Sequence, residues 1–114
     1  MTDPHFIINT TEDDFEQRVI QASHATLVLV DFWADWCGPC RVMTPTLEKL
    51  AHEYGGRFIL AKVEADENMR LAGRYKLRGF PTVLVFRNGE VRDQFSGAKT
   101  AGFVRDFINP FLGV

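Results

Sequence analysis

The sequence predicts one α/β domain: a mixed β-sheet with helices on both faces. Three observations carry this. Strand-type and helix-type patterns alternate from end to end, with no repeat, low-complexity tract or linker. The run Leu27-Val28-Leu29-Val30-Asp31-Phe32-Trp33 is almost continuously apolar, as in a central strand covered on both sides. Asn88-Gly89 joins two short apolar segments, the pattern of a tight β-hairpin. At 114 residues the chain suits one domain. Its core is large enough to fold without a metal or a disulfide.

Taken in order, Phe6-Ile7-Ile8 reads as a first strand. Thr11-Glu12-Asp13-Asp14 then has the form of an N-cap followed by acids, ahead of Phe15, Val19 and Ala22 at helical spacing. After the central strand, a helix starts at the cysteines and carries Leu47, Leu50, Ala51 and Tyr54 until Gly55-Gly56 stops it. Pro45 lies inside this helix, removes one backbone bond and is expected to bend the axis. Phe58 to Ala65 reads as a strand, and Asn68 to Tyr75 as a short helix. Thr82 to Phe86 and Val91 to Phe95 flank the hairpin turn. Thr100 can cap a last helix with Phe103, Val104, Phe107 and Ile108 on one face, ended by Asn109-Pro110.

The charge balance narrows the function. Thirteen Lys+Arg against fifteen Asp+Glu leave a net −2 with no basic stripe, which argues against a nucleic-acid surface. The longest apolar stretch, Leu27 to Trp33, is too short to span a bilayer and contains Asp31, so no membrane role is expected. Met1-Thr2-Asp3-Pro4 has neither the basic nor the apolar region of an export signal. The expected compartment is therefore the cytosol, where thiols are kept reduced.

In such a chain two cysteines can be inert core thiols, metal ligands or a redox pair. Random placement would put them three apart only roughly 2% of the time, so the spacing of Cys37 and Cys40 carries information. As a staple, a bridge closing so small a loop would remove only about 2 kcal/mol of unfolded-chain entropy. Zinc would want four ligands, and His5, His24 and His52 show no paired spacing, so no metal is expected. Redox chemistry is the reading that remains. Cys37 lies where a buried strand passes into a helix, whose unpaired N–H groups and dipole stabilise a thiolate. Pro39 suits the first helical turn, and Gly38 leaves the approach to sulfur open. Cys40, almost one turn on, faces the same way. Cys37, nearer the helix tip and the surface, is expected to attack a substrate disulfide; Cys40, deeper, is expected to release the product.

Asp31 is the second notable residue. In so apolar a strand its carboxyl should be buried and its pKa raised. It can be the base that takes the Cys40 proton, or a carboxylate that only hydrogen-bonds a neighbour.

The segment Asp31-Phe32-Trp33-Ala34-Asp35-Trp36-Cys37-Gly38-Pro39-Cys40 resembles the active-site segment of the thioredoxin family. The likeness continues through Pro45, Lys62, Arg78-Gly79-Phe80-Pro81-Thr82, Phe86-Arg87-Asn88-Gly89-Glu90 and Gly97, nearly the whole chain. It implies a thioredoxin fold over residues 1–114 as a single domain: a central mixed five-stranded sheet in the order 1-3-2-4-5, flanked by four helices. It implies a protein-disulfide reductase with no cofactor of its own, serving electron transport and cell redox homeostasis as a monomer. Electrons would come from thioredoxin reductase, an NADPH-dependent flavoprotein, and pass to disulfide-containing client proteins. By the same resemblance Asp31 matches the buried acid, which favours the base reading. Lys62 matches the lysine near that acid, although an ordinary edge-of-strand lysine fits the sequence almost as well. Pro81 matches the cis-proline facing the cysteines, with the backbone at Phe80 pairing to an extended substrate. Trp36, Gly38, Pro39 and Gly97 would form the flat apolar surface around Cys37. Trp33 is better read as core packing.

Three features depart from the family pattern. Phe80 stands where a smaller aliphatic residue is common. Glu64-Ala65 replaces an asparagine followed by a branched aliphatic residue, and Glu64 near Lys62 would alter how Asp31 titrates. The tail from Asn109 to Val114 is longer and more apolar, and could pack on the domain, bind a partner or lead into a further domain. Two other activities compete with the reductase. One is a chaperone module of the same fold that holds clients. The other is a disulfide oxidase or isomerase, which Gly38-Pro39 disfavours.

Overall fold

A computed structural model describes residues 4–114; the signal-peptide reading rests largely on Met1 to Asp3, outside them. Among the described residues five strands form one mixed sheet: β1 Ile7–Asn9, β2 Leu27–Trp33, β3 Phe58–Glu64, β4 Thr82–Arg87 and β5 Glu90–Ser96, in the order β1-β3-β2-β4-β5. β2 runs parallel to β3 and antiparallel to β4, and β1 is parallel to β3. This is the order the resemblance implies. Four helices flank the sheet: a π-helix Glu16–Gln21 that runs on into a 3₁₀ turn Ala22–His24, α1 Gly38–Glu53, α2 Met69–Arg74 and α3 Ala101–Leu112.

The alternation of side chains along each strand sorts the core into two layers. Leu27 and Leu29 of β2, Phe58 and Leu60 of β3, and Val83 and Val85 of β4 point towards α1 and α3. Val28, Val30 and Phe32, with Ala61, Val63, Leu84 and Phe86, face the π-helix and α2. Two further steps of the same alternation place Asp31 and Lys62 on the α1 side of the sheet, side by side in the β2–β3 register. Parity along the strands therefore decides which helix the buried acid meets.

Three expectations need correction. Thr11 does not cap the first helix. Its hydroxyl accepts from the Asp13 amide within a turn, Asp14 accepts from the Thr11 amide and the Thr10 hydroxyl, and the helix begins at Glu16. That helix is wound with the wider i→i+5 bonding, and Phe15, Val19 and Ser23 are its buried residues and those of its flanks. Second, Asn109-Pro110 does not end α3. The carbonyl freed by Pro110 belongs to exposed Asp106, so water can satisfy it. Phe111 and Leu112 meanwhile pack on the α1–α3 layer. Asn109 accepts from the Tyr54 hydroxyl at 2.6 Å and the Leu112 carbonyl from Arg57 at 3.1 Å. The helix ends at Leu112, with Gly113 left-handed behind it (φ 73°). Of the alternatives for the tail, packing on its own domain is what these residues do. Third, Phe103 leaves the buried face of α3 and is 42% exposed, stacked on Phe107. The hairpin turn is as expected, with Asn88 and Gly89 at φ 55° and 81°.

Candidate active site

Cys37 is the N-cap of α1, with extended backbone (φ −89°, ψ 104°) and Pro39 inside the first turn. Its Sγ accepts the backbone N–H of Cys40 at 3.2 Å, an interaction that fixes sulfur over the helix's unpaired amides. Cys37 and Cys40 form a disulfide with Cα atoms 5.4 Å apart. The expectation that Cys37 is the more exposed of the two is not met: both are 3% exposed. What separates them is helix position. Cys37 receives an amide hydrogen bond at the cap, and Cys40 sits a turn further in. A Cβ added at Gly38 would meet nothing within 4 Å, so the approach to the pair is open there.

The surroundings of the disulfide come from three loops. Trp36 is 65% exposed and is held by its indole N–H, which donates to Asp66 Oδ2 at 2.9 Å. Phe80 meets the Trp36 ring edge to face at 5.8 Å and packs on the Ala34–Cys37–Cys40 cluster. The Phe80–Pro81 bond is cis, as the resemblance implies. Gly97, left-handed at φ 86°, donates its amide to the Pro81 carbonyl at 2.9 Å, which ties the end of β5 to this loop. Trp33 is only half-buried and packs against the cysteine cluster, so it belongs to the site's wall rather than to either core layer.

Asp31 is fully buried inside β2, two residues before Trp33. Loss of solvent raises its pKa from 3.8 to about 6, opposed by the Thr44 hydrogen bond and the charge of Lys62 and assisted by the charge of Glu48. Thr44 Oγ1 donates to Oδ2 at 2.6 Å, and Oδ1 has no hydrogen-bond partner among the described residues. Lys62 lies beside Asp31 in the sheet, but its ammonium donates to Glu48 Oε2 at 2.9 Å. The sequence reading sets Glu64 near Lys62 as the acid that alters the Asp31 titration. Glu64 instead accepts the backbone amides of Asp66 and Glu67 in the loop before α2, and Glu48 takes the lysine.

Thr44, Glu48 and Asp66 were not singled out in the sequence. For the first two a signal existed. They stand four and eight residues after Cys40, along the edge of the buried α1 stripe of Cys40, Met43, Leu47, Leu50 and Ala51. Polar residues repeating at that spacing behind a reactive cysteine face whatever the cysteine faces. Asp66 had no comparable signal, because its partner is thirty residues away.

A disulfide closed across the first turn of a helix, after a strand that buries a carboxyl, is the arrangement of a thiol–disulfide oxidoreductase. The Thioredoxin family model matches residues 6–110. The chain is 41% identical over 103 residues to a thioredoxin of Chlorobaculum thiosulfatiphilum, covering 90% of this chain and 94% of that one. It is 42% identical over 103 residues to one of Allochromatium vinosum, with the same coverage. Against one of Thiocapsa roseopersicina it is 46% identical over 85 residues, 75% of this chain and 91% of the relative. The chain belongs to the thioredoxin family, and its activity is protein-disulfide reduction. No helix among the described residues is long and apolar enough to cross a membrane.

Proposed function

We propose that residues 1–114 work as a single domain that passes electrons from an NADPH-dependent flavoprotein, thioredoxin reductase, to the disulfides of client proteins. One observation carries the assignment of roles: Cys37 Sγ, alone of the two sulfurs, accepts a helix-cap amide. The Cys37 thiolate attacks a client sulfur; a Cys37–client bond forms and the other client sulfur leaves as a thiolate that takes a proton. Cys40 then loses its proton to Asp31 and attacks Cys37. The Cys37–Cys40 bond forms, the Cys37–client bond breaks, and the client is released with both sulfurs reduced. Two electrons have moved to the client, and the reductase restores the dithiol.

Trp36, Gly38, Pro39, Phe80, Pro81 and Gly97 frame the sulfurs as the docking surface, where an extended client segment adds its backbone beside Phe80. Lys62 supports Asp31 by charge alone, since its hydrogen bond goes to Glu48. The unit acts as a monomer in the cytosol, a compartment whose reducing poise suits a dithiol donor. Reduction of insulin disulfides with NADPH and thioredoxin reductase tests the reading: rapid turnover is expected, and client holding without turnover would overturn it. Sedimentation of the same protein tests the monomer.

A further inference from the structure

A cleft of about 610 Å³ opens behind the disulfide, with Trp33, Cys40, Thr44, Pro45 and Lys62 on its walls. Asp31 is not on those walls and is wholly inaccessible. A buried base must nonetheless gain and lose a proton at each turnover, so something has to connect it to the cleft. Its one hydrogen bond, from Thr44 Oγ1 at 2.6 Å, supplies the connection. Thr44 is half-buried, lines the cleft, and lies four residues after Cys40 on the same face of α1. A hydroxyl that donates to a carboxylate keeps its lone pairs free to accept from the other side.

We propose that Thr44 is a positioning residue for Asp31, and that its hydroxyl is the route by which the Cys40 proton reaches the sealed carboxylate. The proposal rests on the assignment of Asp31 as base. A proton from the Cys40 thiol arrives at Oγ1, directly or over cleft solvent, as the hydroxyl's own proton moves to Oδ2. The products are a Cys40 thiolate, an intact hydroxyl and a neutral carboxyl. The reverse transfer to the cleft resets the base. The same hydrogen bond favours the ionised form of Asp31 and so keeps it ready to accept. The other charges near this path are Lys62 on β3, Glu48 and Arg41 on α1, and Asp35 in the loop between β2 and α1; β4 presents Val83 to Asp31.

Thr44→Val removes the hydroxyl at nearly constant shape, and Thr44→Ser keeps it. The resolving step can be read in a single turnover from Cys37 loaded with a coloured aryl thiol, and Asp31 by carboxyl NMR of the oxidised protein. Thr44→Val should slow thiol release at least fivefold at pH 7 and move the Asp31 titration upwards by roughly one pH unit, and Thr44→Ser should restore both. The rate defect should fade above roughly pH 8.5, where a thiol ionises unaided. Thr44→Val at the parent rate and the parent titration, with Asp31→Asn slow, overturns the relay alone. Asp31→Asn at the parent rate overturns the base and the relay together. Denaturant melts of each variant separate either result from misfolding.

Discussion

Replacing Asp31 with asparagine should pull stability and catalysis in opposite directions, with a pH signature that packing alone cannot produce. Burial holds the carboxyl at about 6 against 3.8 in an exposed chain. The native state therefore binds this proton more tightly than the unfolded state does. Stability from the group is fully present below about pH 4, declines as pH climbs through about 6, and is then flat. Two units at 1.36 kcal/mol each put the ionisation cost at neutral pH near 3 kcal/mol. Asparagine avoids that cost but places an amide where Oδ1 has no partner, a penalty of about 1–3 kcal/mol that does not vary with pH. The net change at pH 7 is thus a stabilisation of about 1 kcal/mol. The cleaner quantity is the gap between variant and parent, which should widen by about 2–3 kcal/mol from pH 4 to pH 7.5, since the amide penalty cancels. Denaturant melts of the oxidised proteins measure it without interference from thiol titration. Stopped-flow client reduction should show slower release by Cys40 in the variant, with the defect shrinking at high pH. A gap that stays constant with pH, together with parent-like release, would leave Asp31 as a packing residue.

Cys37→Ser should abolish attack on oxidised clients, while Cys40→Ser should accumulate mixed disulfides visible by mass spectrometry; trapping by Cys37→Ser instead would reverse the two roles. Glu48→Gln removes a charge that raises the Asp31 pKa and frees Lys62 from its ion pair, so the Asp31 titration should move below about 6 in a carboxyl NMR series. Phe80→Ala removes the edge-to-face contact with Trp36, and client KM should rise about two- to tenfold with little change in attack on a small aromatic disulfide.

The parts of this architecture legible in the sequence are those encoded by neighbours along the chain. The apolar β2 run, the Asn88-Gly89 turn and the Cys37-to-Cys40 spacing each state their structure within a few residues, and the sheet order followed from the family resemblance. The environment of Asp31 is another matter. Its burial could be read from its flanks, but its contacts depend on which strand parity faces α1. That parity brought Thr44 and Glu48 to the acid and left Glu64 with the α2 loop. Equal burial of the cysteines was illegible for a related reason: Phe80, forty residues beyond Cys40, packs with Trp33 on the Ala34–Cys37–Cys40 cluster. The first helix escaped in its start and winding: the Thr10–Asp14 turn delays it to Glu16, and local propensity does not encode i→i+5 bonding. The tail misled because Pro110 reads as a stop when nothing else is known, whereas contacts from Tyr54 and Arg57 carry the helix past it.

Pro45 divides α1 mechanically. It withholds the amide that would have bonded the Arg41 carbonyl, and because both residues are exposed, solvent fills the gap at little cost. Upstream lie both sulfurs, Thr44 and the buried Met43; downstream, Leu47, Leu50 and Ala51 pack in the same core layer. Each catalytic cycle forces the sulfurs from a bond of about 2 Å to a non-bonded separation of about 3.5–4 Å and back. A continuous ladder would couple that displacement rung by rung to the rest of the helix. With one rung missing at Pro45, the backbone link between the sulfur-bearing turn and the Leu47–Ala51 half is weaker, and Met43 is the side chain that still ties that turn to the core layer.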